Sequence, residues 1–213
     1  MNLRTSTLMS MKKIITVVIV LFAGALGIIL FNKYRIVVPP VDITRSEIGW
    51  SAKSVSDTHV GKIQLKEAEV KLQGNQVVSI RVVANMKSIT VEDITDPEHN
   101  QDFVRHITTE DFFEVDKFPD ATFVSTEVKA AGAGEWEIRG DLTIKGITKP
   151  VSFTATPATD GGALQATLPV DRTTFGIIYG ARGQRGSEKD WFIHDEFTIT
   201  VNLRYSGLSL QQD

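Results

Sequence analysis

Hydrophobic and polar positions alternate strictly through residues 136–155, WEIRGDLTIKGITKPVSFTA. Trp136, Ile138, Leu142 and Ile144 share one parity, and Val151, Phe153 and Ala155 resume it after a short turn, while Glu137, Arg139, Asp141, Thr143 and Ser152 take the other. Successive side chains of a strand point to opposite faces, so this stretch predicts an antiparallel hairpin with one apolar and one wet surface. The same period recurs at Ile48, Trp50 and Ala52, at Ile63 and Leu65, and through 121–128, 164–170 and Phe197, Ile199, Val201, Leu203 and Tyr205. Residues 77–86 add an apolar run rich in β-branched side chains. About eight strands result, with Gly or Asn in several turns, as in Gln73-Gly74-Asn75 and Asp160-Gly161-Gly162. That count suits a closed barrel or a two-sheet sandwich.

Residues 90–119 interrupt the pattern. Thr95-Asp96-Pro97-Glu98 reads as a helix start, with Thr95 as the cap, proline at the first helical position and Glu98 three residues after the cap. A short helix ending near Ile107 is expected, followed by Phe112, Phe113 and Phe118. Rings clustered between strands either close the end of a barrel or form a satellite core under a long loop. The parity set itself mixes bulky Trp50, Trp136, Phe153 and Phe197 with small Ala52, Ala84, Ala155 and Ala166. A barrel of about eight strands either fills its lumen with side chains or leaves room for one apolar ligand, and periodicity alone fits both.

The N-terminus adds a different element. Residues 14–31 carry no charge and are preceded by Arg4, Lys12 and Lys13. Eighteen residues at about 1.5 Å each reach roughly 27 Å, close to the thickness of a bilayer's hydrocarbon core. A cleaved signal peptide competes, because Ala23-Gly24-Ala25 has the small-x-small form of a cleavage site. Cutting there would leave apolar residues 26–31 on the mature chain, so an uncleaved signal anchor is the favoured reading. Lys33 and Arg35 follow the run, leaving a slight charge bias toward an inside N-terminus. The expected organisation is an anchor at 1–35, a linker at 36–41 stiffened by Pro39-Pro40, a β-barrel domain at 42–205 and a tail at 206–213. The domain then lies outside the cytoplasmic membrane, or free in the periplasm if the segment is removed.

Composition mainly excludes. A formal charge of −3, from 23 basic and 26 acidic residues, lacks the basic excess of a nucleic-acid surface. The absence of cysteine removes disulfides, thiol nucleophiles and thiolate metal sites. His194-Asp195-Glu196 and the pair His99 and His106 offer no convincing metal set, since neighbouring strand residues face apart and the helical pair has no third ligand nearby. No GxSxG, phosphate-loop or dinucleotide fingerprint occurs, and the small-residue run at 180–186 is not followed by a helix. Catalysis and metal binding are therefore not expected.

Four stretches occur in order: DFFEVDKFPDATF at 111–123, GDLTIKGITKPVSF at 140–153, VDRTTFGIIYG at 170–180 and HDEFTITVNLRY at 194–205. With His59-Val60-Gly61 they closely resemble the YceI-like family over residues 41–205. The resemblance implies a lipocalin-like antiparallel barrel that holds a long isoprenoid or similar amphiphile in its lumen, usually in bacteria and beyond the cytoplasmic membrane. The anchor departs from the commoner secreted form. Candidate lumen residues are Trp50, Ile63, Leu65, Phe112, Phe113, Trp136, Ile138, Leu142, Phe153, Phe175, Phe197 and Ile199.

Parity also places three ionisable groups on the apolar side: Arg172 beyond 164–170, Asp195 with Phe197, and His59 with Ile63. Buried charge is costly unless paired. Either Arg172 and Asp195 pair at a barrel end while His59 caps a turn, or Arg172 and His59 hold an anionic or quinone-like head group. The expected function is binding, and carriage or storage, of an isoprenoid-type lipid, with no other cofactor. The alternative is a packed barrel acting through its outer surface as a cell-envelope interaction module. A second copy of the chain, forming a homodimer, stays open as a partner.

Overall fold

The computed structural model describes residues 4–74, 76–132, 134–157, 163–184 and 191–205, with the side chains of 4–13, 15, 17, 32 and 163 outside the description. The expected tail at 206–213 and the turn at 160–162 lie outside the described residues.

A helix, α1 (Arg4–Tyr34), precedes a two-residue strand, β1 (Ile36–Val37). Eight strands then run in sequence: β2 (Glu47–Ser54), β3 (Thr58–Gln73), β4 (Gln76–Asn85), β5 (Asp120–Gly132), β6 (Glu135–Ile144), β7 (Ile147–Pro157), β8 (Ala163–Asp171) and β9 (Ile193–Arg204). Each pairs antiparallel with the next, and β9 returns to pair with β2 from Glu47↔Asn202 to Ala52↔Phe197. The sheet therefore closes as an up-and-down barrel, although β7 and β8 pair only from Ala155↔Ala166 to Pro157↔Leu164 and carry no ladder between them nearer the mouth. β1 is an added rung on β3, with Ile36 opposite Gln73. Within the expected linker, Ile36 and Val37 thus pair with the barrel, and Val41 bridges to Tyr205.

The opening hairpin forms as the alternation predicts. Ile144 pairs with Ile147 across Lys145-Gly146, both at positive φ (50° and 73°), the two-residue turn whose twist matches its flanking strands. Trp136, Ile138, Leu142 and Ile144 are buried on the inner face. Gly140 continues this face where a side chain could not fit, because an added Cβ would lie 2.5 Å from the Phe123 ring and 2.5 Å from the Val124 carbonyl oxygen.

Alternation does not persist along whole strands. β3 shifts register between Leu65 and Glu67, and its buried set passes from Gly61 and Leu65 to Val70 and Leu72. β5 shifts likewise between Ser125 and Glu127. Such bulges move one strand's parity by a residue and increase its bend, as a small barrel requires.

The two ends differ. At the base, next to the end of α1, the described β3–β4 and β5–β6 connections are short, and Val70, Leu72, Val77, Trp136, Leu203 and Tyr205 belong to one packed cluster. Trp136 donates its indole N–H to the Gln76 amide oxygen at 3.2 Å. At the mouth lie the β2–β3 turn and the long connections after β4 and β8. Within the first, residues 88–93 run beside the upper part of β3, with the Thr90 N–H on the Lys62 carbonyl and the Glu92 N–H on the Val60 carbonyl. Helix α2 (Pro97–Ile107) follows, capped by Asp96, whose side chain accepts from the His99 N–H; the cap lies one residue later than the expected Thr95. Phe103, Val104 and Ile107 of α2 pack on Ile89, Val91 and Trp50 over the mouth.

Gly140→Ala tests the close approach at the hairpin. Overpacking there costs about 1–3 kcal/mol, read as a lower urea midpoint with an unchanged slope; a neutral substitution would mean that Phe123 yields freely.

Candidate functional site

Inside the barrel is a cavity of ≈ 120 Å³ whose lining is almost wholly apolar. Above it, at the mouth, is a vestibule of ≈ 310 Å³ with a mixed lining. Trp50, Ile89, Phe113 and Phe197 border both spaces and form the neck between them. Trp50 and Phe197 come from the neighbouring, paired strands β2 and β9, whereas Ile89 and Phe113 come from the connection that carries α2.

Trp50 is seated by glycine and a backbone acceptor. Its indole N–H donates to the Thr90 carbonyl at 3.1 Å. Its ring passes so close to Gly61 that a Cβ there would lie 2.7 Å from the indole nitrogen and 1.8 Å from the Thr90 oxygen. Gly61 of the His59-Val60-Gly61 motif is thus the gap through which the neck is built.

His59 lines the vestibule. Its Nδ1 lies 2.8 Å from Asp93 Oδ2, and Asp93 Oδ1 accepts the Val60 N–H at 2.8 Å. A neutral imidazole facing a carboxylate through Nδ1 carries its proton there, so Nε2 is left as an acceptor. The ring rests on Phe103 of α2, with centroids 4.4 Å apart. Burial acts to raise the Asp93 carboxyl, but the Val60 N–H and His59 outweigh it and hold the group below the usual carboxylate range. Across the vestibule His106 sits edge-on to Phe112 and Tyr179, with centroids at 5.1 and 4.8 Å.

Arg172 is buried, 4% exposed, in the 3-10 turn after β8, which Asp171 starts by accepting the Thr173 N–H. Its guanidinium donates to four backbone carbonyls: Nε to His194 at 3.0 Å, Nη1 to Ile177 and Tyr179 at 2.8 Å each, and Nη2 to Ile193 at 3.0 Å. Burial works against the charge, while Asp195 and Asp171 support it electrostatically. Of the five N–H groups of a guanidinium, four are committed to the chain itself.

The YceI-like domain profile matches residues 40–205. The chain belongs to the YceI-like family. A UPF0312 protein of Pseudomonas putida is 42% identical over 81 residues, 34% of this chain and 42% of that protein, and one of Pseudomonas fluorescens is 54% identical over 52 residues, 24% and 27%. The chain thus aligns with less than half the length of these curated relatives. Among solved structures, BcnA of Burkholderia cenocepacia superposes with a TM-score of 0.64 at 24% identity, over 78% of this chain and all of that one. A polyisoprenoid binding domain from Saccharophagus degradans gives 0.55 at 10% identity, over 82% of this chain and all of that one. At these identities the two structures establish the shared fold.

In this YceI-like barrel, Trp50, Ile63, Phe113, Leu142, Phe153, Phe197 and Ile199 border the inner cavity and Phe112 borders the vestibule. Leu65, Trp136, Ile138 and Phe175 border neither. Trp136 and Ile138 sit at the basal end of one packed cluster, Leu65 belongs to the same cluster higher up, opposite Ala84, and Phe175 is sealed at 1% exposure beneath the mouth. Asp195 is exposed, not inward: between Ala52↔Phe197 and Ser54↔Ile193 strand β9 holds four steps against two on β2, and this bulge breaks the parity count. Arg172 and Asp195 do not form a salt bridge, and Arg172 clamps backbone carbonyls. Sequence reasoning missed Ile89, Tyr179 and Trp191 as lining residues and Asp93 as the partner of His59, because no local pattern announces contacts made between distant loops.

Arg172→Met keeps most of the volume but strands four carbonyls. Losing them costs about 3 kcal/mol and speeds amide exchange through 177–181 and 192–195; unchanged exchange there would refute the clamp. The Asp93 carboxyl is depressed in the fold, so its contribution is present above its unfolded value of about 3.9 and is lost as pH falls through the lower folded value. Acidification should therefore expose the Val60 amide to exchange in the native chain, whereas Asp93→Asn exposes it already at neutral pH.

Proposed function

We propose that this chain binds an isoprenoid-type or similarly long amphiphilic lipid, with its chain in the barrel lumen and its head group in the vestibule, and without chemistry. The single observation that carries this reading is the apolar cavity inside a closed barrel, continuous in lining with a polar-edged vestibule through the neck of Trp50, Ile89, Phe113 and Phe197. The fold shared with a polyisoprenoid binding domain supports it.

Cavity size sets a condition. An apolar cavity of about 150 Å³ stays dry and admits a benzene-sized guest, so ≈ 120 Å³ accepts little more than one ring or branched unit. A longer chain needs lumen and vestibule joined. Half of the neck belongs to the connection between β4 and β5, so displacing Ile89 and Phe113 with α2 widens the passage while the ladders of β2 and β9 stay intact. With Arg172 committed to carbonyls, His59 is the head-group contact, its Nε2 accepting from a hydroxyl or similar donor.

The α1 helix completes the reading. Among the described residues no helix is long and apolar enough to cross a membrane. The uncharged sequence of 14–31 nonetheless meets that length, and all the side chains described between 14 and 31 are exposed on the helix. We therefore assign α1 as a membrane anchor with the barrel on the extracytoplasmic side.

Native mass spectrometry of protein purified from its own host should show a co-purifying long-chain amphiphile. Ala166→Phe, which fills the lumen from the wall, should abolish that mass while cooperative unfolding is retained. Protein that carries no amphiphile, and binds none added, would favour the packed barrel with an interacting outer surface.

A further inference from the structure

The base and the mouth of the barrel carry opposite surface chemistry, and α1 joins at the base. The helix ends at Tyr34, whose carbonyl accepts from the Gln73 side chain at 3.1 Å, and β1 then pairs Ile36 with Gln73 and Val37 with Leu72. Residue 73 lies at the β3–β4 turn, the end opposite the vestibule. A second tie, between the Asp42 N–H and the Arg204 carbonyl at 2.7 Å, holds the chain across the same end.

Apolar side chains are left uncovered there. Tyr34, Ile36, Val37, Val38 and Ile43 are between 42% and 63% exposed. They continue directly from the exposed apolar side chains of α1, with Lys33 and Arg35 beside them. An aromatic ring and two cations at the end of an apolar helix are the features of a membrane interface, where rings sit at headgroup level and cations meet anionic lipid. At the mouth, the connection 86–119 holds nine carboxylates (Glu92, Asp93, Asp96, Glu98, Asp102, Glu110, Asp111, Glu114, Asp116) against Lys87, Arg105 and Lys117, with Lys87 on Asp116 and Lys117 on Glu114, so the rim keeps a net negative charge. An anionic bilayer repels that rim.

We infer that the barrel stands base-down on the lipid surface that holds α1, with the patch of Tyr34, Ile36, Val37, Val38 and Ile43 in the headgroup layer and the vestibule turned to the aqueous side. This rests on the assignment of α1 as an anchor. Eight residues of β2 at about 3.3 Å, tilted by about 40°, raise the mouth roughly 20 Å above the base. Ligand then exchanges on the solution side, not with the bilayer beneath.

The chain has no cysteine, so single labels are unambiguous. Full-length Ile43→Cys, Val38→Cys and Ser56→Cys variants, each carrying one fluorophore, are placed in nanodiscs of phosphatidylcholine and phosphatidylglycerol. Nitroxide-labelled lipid should quench the labels at 43 and 38 several-fold more than the label at 56, and aqueous iodide should show the reverse order. Equal quenching, or stronger lipid quenching at 56, overturns the orientation. Failure of the full-length chain to co-elute with nanodiscs overturns the anchor assignment instead, and co-purification of lumen lipid bears on neither.

Discussion

Pairing between β2 and β9 is the constraint on which the rest depends. Without the ladder from Glu47↔Asn202 to Ala52↔Phe197, eight strands paired in sequence would make an open, twisted sheet with two bare edges and an apolar face still in need of cover. With it, the apolar side chains of opposite walls face one another across a closed space, and no second layer is required. Antiparallel closure also sets the traffic of the chain. Strands alternate direction, so every connection falls at one of two ends, and here the long ones fall at the same end. The tight base and the elaborated mouth follow from that count.

Along the barrel axis, side-chain size decides what the closed space becomes. At the base Trp136, Val70, Leu72 and Leu203 meet at van der Waals contact and seal the bottom. Higher up, Ala84, Ala121 and Ala166 leave room that Phe123 and Phe153, packed against each other at 5.2 Å, do not fill. At the mouth the wall gives way to loops, and polar groups become affordable because backbone and solvent can satisfy them. Trp50 stands at the transition. Gly61 makes room for its ring, the Thr90 carbonyl fixes its nitrogen, and the neck forms around it.

Much of this was legible in the sequence, and the remainder fails for definable reasons. The eight strands and the hairpin at 145–146 follow from a period of two, and α2 from a proline preceded by a capping side chain. The four ordered motifs identified the family that the domain profile establishes. Parity, however, distinguishes inside from outside and says nothing about height. It could not separate Trp136 and Ile138, which plug the base, from Leu142 and Phe153, which border the cavity. Parity also presumes an unbroken ladder, and the bulge in β9 carries Asp195 outward. Arg172 was placed inward correctly, but by a count that ran past the end of its strand. Its partners are carbonyls, and backbone acceptors leave no mark on an amino-acid string. Asp93 meets His59 across 34 residues and belongs to no repeating pattern.

The Arg172 clamp has one further implication. It grips the main chain at Ile177, Tyr179, Ile193 and His194, so its hydrogen bonds do not depend on the side chains those positions carry. Ile177 stays fixed by its own burial, at 1% exposure, but Tyr179, Ile193 and His194 can change side chain while the clamp holds their main chain in place. A single buried cation decouples the geometry of the opening from its chemistry, so that the lining of the vestibule can be changed by substitution while its architecture stays put.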